Sequence, residues 1–104
     1  MQLFIMYLLY YLSLKMEKFV VFGEYCEDAL IKRGPFREQH LIRLKNLKDQ
    51  DILVTLGPTK CTKYLFGIFN AYDANELKDL IEEDIYWKKG IWINSDIYPW
   101  IQAF

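Results

Sequence analysis

"YLFGIFNAYDANELKDLIEED", Tyr64 to Asp84, changes its periodicity once. Tyr64 to Ala71 is apolar and β-rich at nearly every position, which predicts a strand. Asp73 then stands where an N-cap is needed, with Glu76 at the capping-box position. Leu77, Leu80 and Ile81 follow at helical spacing, so a helix is expected over Asp73 to Asp84. Gly67 interrupts the strand and marks a bulge or the close approach of another group.

Reading outward, the same strand-then-helix step occurs earlier. "KFVVFG" (Lys18 to Gly23) is a first strand, and Glu24 to Arg33 is a polar connection with room for one helical turn. Gly34-Pro35 opens a helix, with proline where its missing N–H costs nothing. That helix runs to Lys48, with Leu41, Leu44 and Leu47 as its apolar stripe and Phe36 near its entry. Ile52 to Thr59 is a second strand, closed by Gly57-Pro58. Ile85 to Gly90 reads as a loop or a final turn. Ile91 to Trp100 is the last strand, with Ile91, Ile93 and Ile97 on one side and Trp92 and Tyr98 on the other. The order β-α-β-β-α-β predicts a ferredoxin-like α+β fold, a four-stranded antiparallel sheet with two helices on one face.

Two helices cover one face only, yet the first and third strands are apolar on both. The open face therefore needs a partner, and a second copy of the chain related by twofold symmetry is the simplest one. The alternative cover is the N-terminal arm.

A chain of 104 residues predicts one domain, and 53% hydrophobic with 17% aromatic residues excludes disorder. A net charge of -1 lacks the basic footprint of a nucleic-acid binder. Lys45 and Lys48 are answered at once by Asp49 and Asp51, as on a solvated helix face. Residues 1–15 form a hydrophobic extension, uncharged until Lys15, and residues 16–104 form the domain proper. The extension is shorter than the roughly 18 to 20 residues that span a bilayer, so a membrane role is disfavoured. It also lacks the basic start and small-residue cleavage site of a signal peptide. Met16, opening "MEKFVVFG", is the expected native start. Cys26 and Cys61 form no CxxC, and with a single histidine they make no zinc set. Both are expected to be free thiols in a cytoplasmic protein.

The one histidine, His40, shares a helix face with Leu44 and Leu47, so it points toward the core. Arg37 lies three residues before it. The Arg37 charge, the positive end of the helix dipole and burial all disfavour the imidazolium, leaving a ring able to accept a proton. Position alone leaves His40 open between a packed histidine and a working one. Arg33 and Arg37 could clasp an anion or pair with the abundant acids. Glu82, Glu83 and Asp84 close the second helix; such a run is usually solvated, although Asp84 could approach the start of the first helix. Tyr86, Trp87, Trp92, Tyr98 and Trp100 could line a pocket or an interface. The chain has no GxGxxG, Walker loop, nucleophile elbow or HExxH.

Lys32-Arg33, "REQHLIRL" (Arg37 to Leu44), "LGPT" (Leu56 to Thr59) and "EEDIYW" (Glu82 to Trp87) together resemble the YciI-like (YCII-related) family. The resemblance runs from about Met16 to Phe104. It implies a ferredoxin-like dimer of the α+β barrel type, and a histidine–aspartate pair that falls on His40 and Asp84. It sets His40 between Arg37, Gly57-Pro58 and Asp84, so Arg33, Arg37, Gly57 and Pro58 are the expected substrate-binding set. One branch of the family acts as a cofactor-free dehydrochlorinase on a chlorinated hydroxyhydroquinone. Where the family commonly has proline after the aspartate, this chain has Ile85.

The resulting expectation is a small lyase or isomerase with His40 as base and then acid, oriented by Asp84. Proton shuttling alone requires neither metal nor redox cofactor, and none is expected. The rival expectation is a non-catalytic homodimer that binds a small molecule or regulates through it.

Overall fold

The computed structural model describes residues 2–14 and 16–104, with side chains at 2–9 and 16–104. Four strands form one sheet: β1 (Glu17–Tyr25), β2 (Leu53–Pro58), β3 (Tyr64–Ala71) and β4 (Trp92–Trp100). Their order is β2-β3-β1-β4, and every pairing is antiparallel. The helical segments are α1 (Gln2–Leu14), α2 (Ala29–Lys32), α3 (Arg37–Asp49), α4 (Ala74–Glu82) and α5 (Ile85–Lys88). The fold is the expected ferredoxin-like α+β one.

The sheet's inner face alternates as a half-buried sheet should. Phe19, Val21 and Tyr25 of β1 and Leu65, Phe69 and Ala71 of β3 are buried. They meet Leu47 of α3, Leu77 and Ile81 of α4, and Tyr86 of α5. Leu77 is fully enclosed, a burial that contributes about 1.5–3 kcal/mol. Helix α4 begins as the capping residues predict, with Asp73 Oδ1 accepting from the Glu76 N–H at 2.8 Å. Pro35 lies in a 3₁₀ turn, Gly34–Phe36, that leads directly into α3.

Three local readings are corrected. Leu41 is 43% exposed and leaves the core stripe, which Leu44 and Leu47 carry together with His40. Ile85–Lys88 is a separate helical turn with Asp84 as its N-cap, so Asp84 does not sit at the tail of α4. Its backbone is extended (φ -68°, ψ 141°), the conformation an N-cap adopts. The third concerns β4. The pairing of β1 with β4 slips between Glu24 and Tyr25, because Glu24 faces Asn94 whereas Tyr25 faces Trp92. Ile93 is the extra residue of this bulge and is exposed. The bulge reverses the alternation, so Trp92 and Ile97 face the helices while Tyr98 faces away. Trp92 and Tyr98 therefore do not share a side. The connection after β1 holds α2 as the helical turn expected there, started by Asp28 in the left-handed region (φ 58°).

The sheet's other face carries Phe22, Phe66 and Tyr98, all exposed. Phe22 packs its ring on Phe66 at 5.3 Å between centroids and on Tyr98 at 6.4 Å. Among the described residues nothing covers this aromatic patch. Leu3, Phe4, Ile5, Met6, Tyr7, Leu8 and Leu9 of α1 are themselves exposed, so these described residues of the arm do not cover it. No described helix is long and apolar enough to cross a membrane.

Candidate active site

His40 enters from the first turn of α3 and is 5% exposed. Asp84, capping α5, is completely enclosed. The two meet at 2.7 Å, His40 Nδ1 to Asp84 Oδ1, although 44 positions separate them in sequence. The position after this cap, N1 of α5, admits a prolyl ring and an ordinary residue alike. Ile85 there leaves the cap intact, and the Tyr86 N–H still donates to Asp84 Oδ1 at 2.9 Å.

A buried carboxylate is costly unless its oxygens are satisfied. Asp84 Oδ2 accepts from Arg43 Nη1 at 3.0 Å, so the carboxylate holds three hydrogen bonds. Two of those donors, a peptide N–H and a guanidinium, can only donate. The Asp84 carboxylate accordingly takes the His40 Nδ1 proton as its third bond, which puts the lone pair of a neutral ring on Nε2. Among the described residues, Nε2 has no hydrogen-bond partner.

Aromatic rings fix the imidazole plane. Tyr86 stacks on it at 3.6 Å between centroids and 8° between planes. Trp92 meets its edge at 5.0 Å and 86°. These contacts place Tyr86 and Trp92 in the site, whereas Tyr98 and Trp100 lie exposed at the far end of β4.

His40 opens onto a cavity of about 170 Å³. Arg33 and Arg37 line it from the turns before and at the start of α3. Gly57 and Pro58 line it from the end of β2, with Leu56 beside them. Tyr25, Tyr86, Leu41 and Leu44 complete the wall. All five residues expected beside Asp84, namely His40, Arg33, Arg37, Gly57 and Pro58, thus face one hollow, and Asp84 stands behind His40. Among the described residues neither Arg33 nor Arg37 has an ion-pair partner within 4.0 Å. The lining holds two guanidinium groups and no carboxylate, so it favours a negatively charged occupant.

Burial pushes the Tyr25 phenol above its ordinary value, against the opposing effects of Trp92 and then of the Arg33 charge. Burial likewise raises Tyr86. Both stay neutral and can act as hydrogen-bond donors at the cavity wall. A larger hollow of about 610 Å³ lies beyond Tyr25, between the β1–α2 connection and the β2–β3 hairpin. It holds Cys26 and Cys61, both unbridged, with Glu24, Glu27 and Asp28. The Cys61 thiol is lowered by its contact with Thr59 Oγ1 at 3.2 Å. That hollow has no acid–base pair comparable to His40–Asp84. Among the described residues no group of three metal-ligating side chains converges.

Arg43 is the site residue that sequence reading missed. The signal was present: Arg43 follows His40 by three positions and so shares its helix face. Arg37, three positions on the other side of His40, faces the cavity instead.

Comparison with known proteins agrees with this architecture. A protein from Haemophilus influenzae, described as an uncharacterized protein, is 28% identical over 98 residues, covering 83% of this chain and 98% of that one. The solved structure of 5-chloro-2-hydroxyhydroquinone dehydrochlorinase from Burkholderia phenoliruptrix, in complex with 2,5-dihydroxybenzoquinone, superposes with a TM-score of 0.71 at 22% identity. That match covers 83% of this chain and 95% of the other, and it shows a shared fold. The YCII-related domain matches residues 17–101, which include His40, Arg43 and Asp84, and the chain belongs to the YCII-related domain family.

Proposed function

We propose that this protein is a small cofactor-free lyase or isomerase that moves a proton on a small anionic metabolite, aromatic or enolisable. The observation that carries the reading is the buried His40–Asp84 pair at 2.7 Å, opening onto a cavity with two arginines. His40 Nε2 accepts a proton from a C–H or O–H bond of the substrate. The electron pair left behind forms a new double bond. In an elimination a leaving group departs with its own pair; in an isomerisation the imidazolium returns the proton to a second carbon. Asp84 holds the ring and stabilises the imidazolium while the proton is away. Arg37 and Arg33 hold the oxyanion of the intermediate, and Gly57-Pro58 shapes the opposite wall. General acid–base catalysis of this kind contributes about 10²- to 10⁴-fold.

The dehydrochlorinase of like fold supports the reaction class, since loss of chloride from a hydroxylated ring is such an elimination. The functional unit is residues 16–104, working in the cytoplasm as a homodimer joined through the aromatic sheet face. The competing reading is a binding or regulatory homodimer whose ligand merely hydrogen-bonds His40.

Thermal-shift screening of hydroxylated aromatic and dicarboxylic anions, followed by turnover assays of the hits, separates the two. Turnover that falls by about 10²-fold or more in His40→Ala is the expected result. Binding without turnover, equal in both proteins, would leave only the binding module.

A further inference from the structure

We propose that Arg43 is a positioning residue of this site: it fixes the Asp84 carboxylate and balances its buried charge, so that the carboxylate keeps His40 aimed. The inference rests on the reading of His40 as a proton acceptor. Arg43 is absent from the cavity wall and does not reach the substrate. It acts through Asp84.

Three contacts define its part. Arg43 Nη1 donates to Asp84 Oδ2 at 3.0 Å. Arg43 Nη2 donates to the Leu80 carbonyl at 2.7 Å. Glu83 Oε2 lies 3.9 Å away, on a side chain that is 69% exposed, and adds little. Leu80 belongs to the last turn of α4, where carbonyls lack helical partners and carry the negative end of the helix dipole. One guanidinium therefore joins α3, the end of α4 and the cap of α5. With Oδ2 claimed by Arg43, Oδ1 is left for His40 and the Tyr86 N–H, and the carboxylate cannot turn.

The charge balance matters as much as the geometry. Asp84 is fully enclosed, and a buried carboxylate requires a nearby cation. Two groups could supply one, Arg43 or a protonated His40. Arg43 is a permanent cation, so His40 is not needed as one. The other groups around the ring are Arg33 and Arg37 on the cavity wall and the neutral phenols of Tyr25 and Tyr86. Arg33 and Arg37 are cations too, so among these groups Asp84 is the one negative charge beside the ring. Removing Arg43 would free that charge to act on His40.

The test needs no substrate, because the chain contains one histidine and its ring signals are unambiguous in nitrogen-15 NMR. In Arg43→Gln, the pH at which the His40 signals change is expected to move upward, and Arg43→Lys, which keeps the charge, is expected to restore most of the difference. Unchanged signals in folded Arg43→Gln, or an equal displacement in Arg43→Lys, would overturn the proposal. Should Arg43→Gln fail to fold, the unsubstituted chain decides: a guanidinium held by two acceptors gives separate, slowly rotating Nη signals, and a freely rotating Arg43 would refute the anchoring role. With a substrate in hand, Arg43→Gln is expected to lower kcat by about 10²-fold with little change in KM. Because the NMR result does not depend on turnover, the role of Arg43 and the catalytic reading can fail separately.

Discussion

At the scale of single residues, Asp84 is where stability and chemistry coincide. Its three hydrogen bonds come from His40, Tyr86 and Arg43. Asp84→Asn keeps the shape and loses the charge, leaving the Arg43 guanidinium without its counter-ion. Arg43 is about a quarter exposed, which softens the penalty. A loss of about 2–3 kcal/mol is expected, read as a lower urea midpoint with an unchanged slope. His40 was legible in the sequence as a core-facing residue of a helix; Asp84 was one acid among three, picked out by the family resemblance and not by its own spacing. What singles out Asp84 from Glu82 and Glu83 is a cap, and a cap is set by where the backbone leaves one helix and enters the next. Nothing in "LIEEDIYW" alone fixes that point, since the helical pattern continues through it.

Elements were legible wherever one periodicity ran uninterrupted. β3 matches its expected range, Tyr64–Ala71, and α4 starts at its predicted cap. The bulge in β4 was not legible, because it is imposed by pairing with β1 rather than by the residues of β4 themselves. Gly67 fulfils the expectation of close approach. A methyl group there would stand 2.5 Å from Leu56 Cδ1, the movable end of a side chain. At Gly23 the same methyl would stand 2.5 Å from the Asn94 carbonyl oxygen, which belongs to the rigid β1–β4 ladder. Gly23→Ala should therefore cost about 2–3 kcal/mol and Gly67→Ala about 1–2 kcal/mol. Chemical denaturation of the two variants checks the order; a more damaging Gly67→Ala would contradict it. Since Leu56 lines the cavity, Gly67→Ala is also the one expected to disturb ligand binding.

At the scale of the whole molecule, two features make predictions about solution behaviour. The first is the aromatic face of Phe22, Phe66 and Tyr98. If it joins two copies as proposed, Phe22→Glu places like charges against each other across the twofold axis and gives a smaller species by light scattering. A species of unchanged mass would remove that face from the interface. The second is the pair of buried phenols. Tyr25 and Tyr86 are raised above the ordinary tyrosine value of about 10, so above that pH the unfolded chain sheds protons that the folded chain retains. The slope of stability with pH is then negative. Their contribution is complete below about pH 10 and is lost as pH climbs through the folded values. Thermal scans should show a falling Tm in that range, and Tyr86→Phe should flatten the fall.

The 44-residue separation of His40 and Asp84 also bears on how the protein folds. His40 belongs to the β1-α3-β2 half of the chain and Asp84 to the β3-α4-α5-β4 half. Neither half holds the pair by itself, and closing so long a loop costs entropy before the contact returns any of it. The strands of the two halves interleave in the order β2-β3-β1-β4, so every strand pairing joins one half to the other, and the site forms only as the halves interdigitate. The single imidazole is consequently a native reporter of that assembly: its environment distinguishes a chain whose halves have interleaved from one whose halves have not.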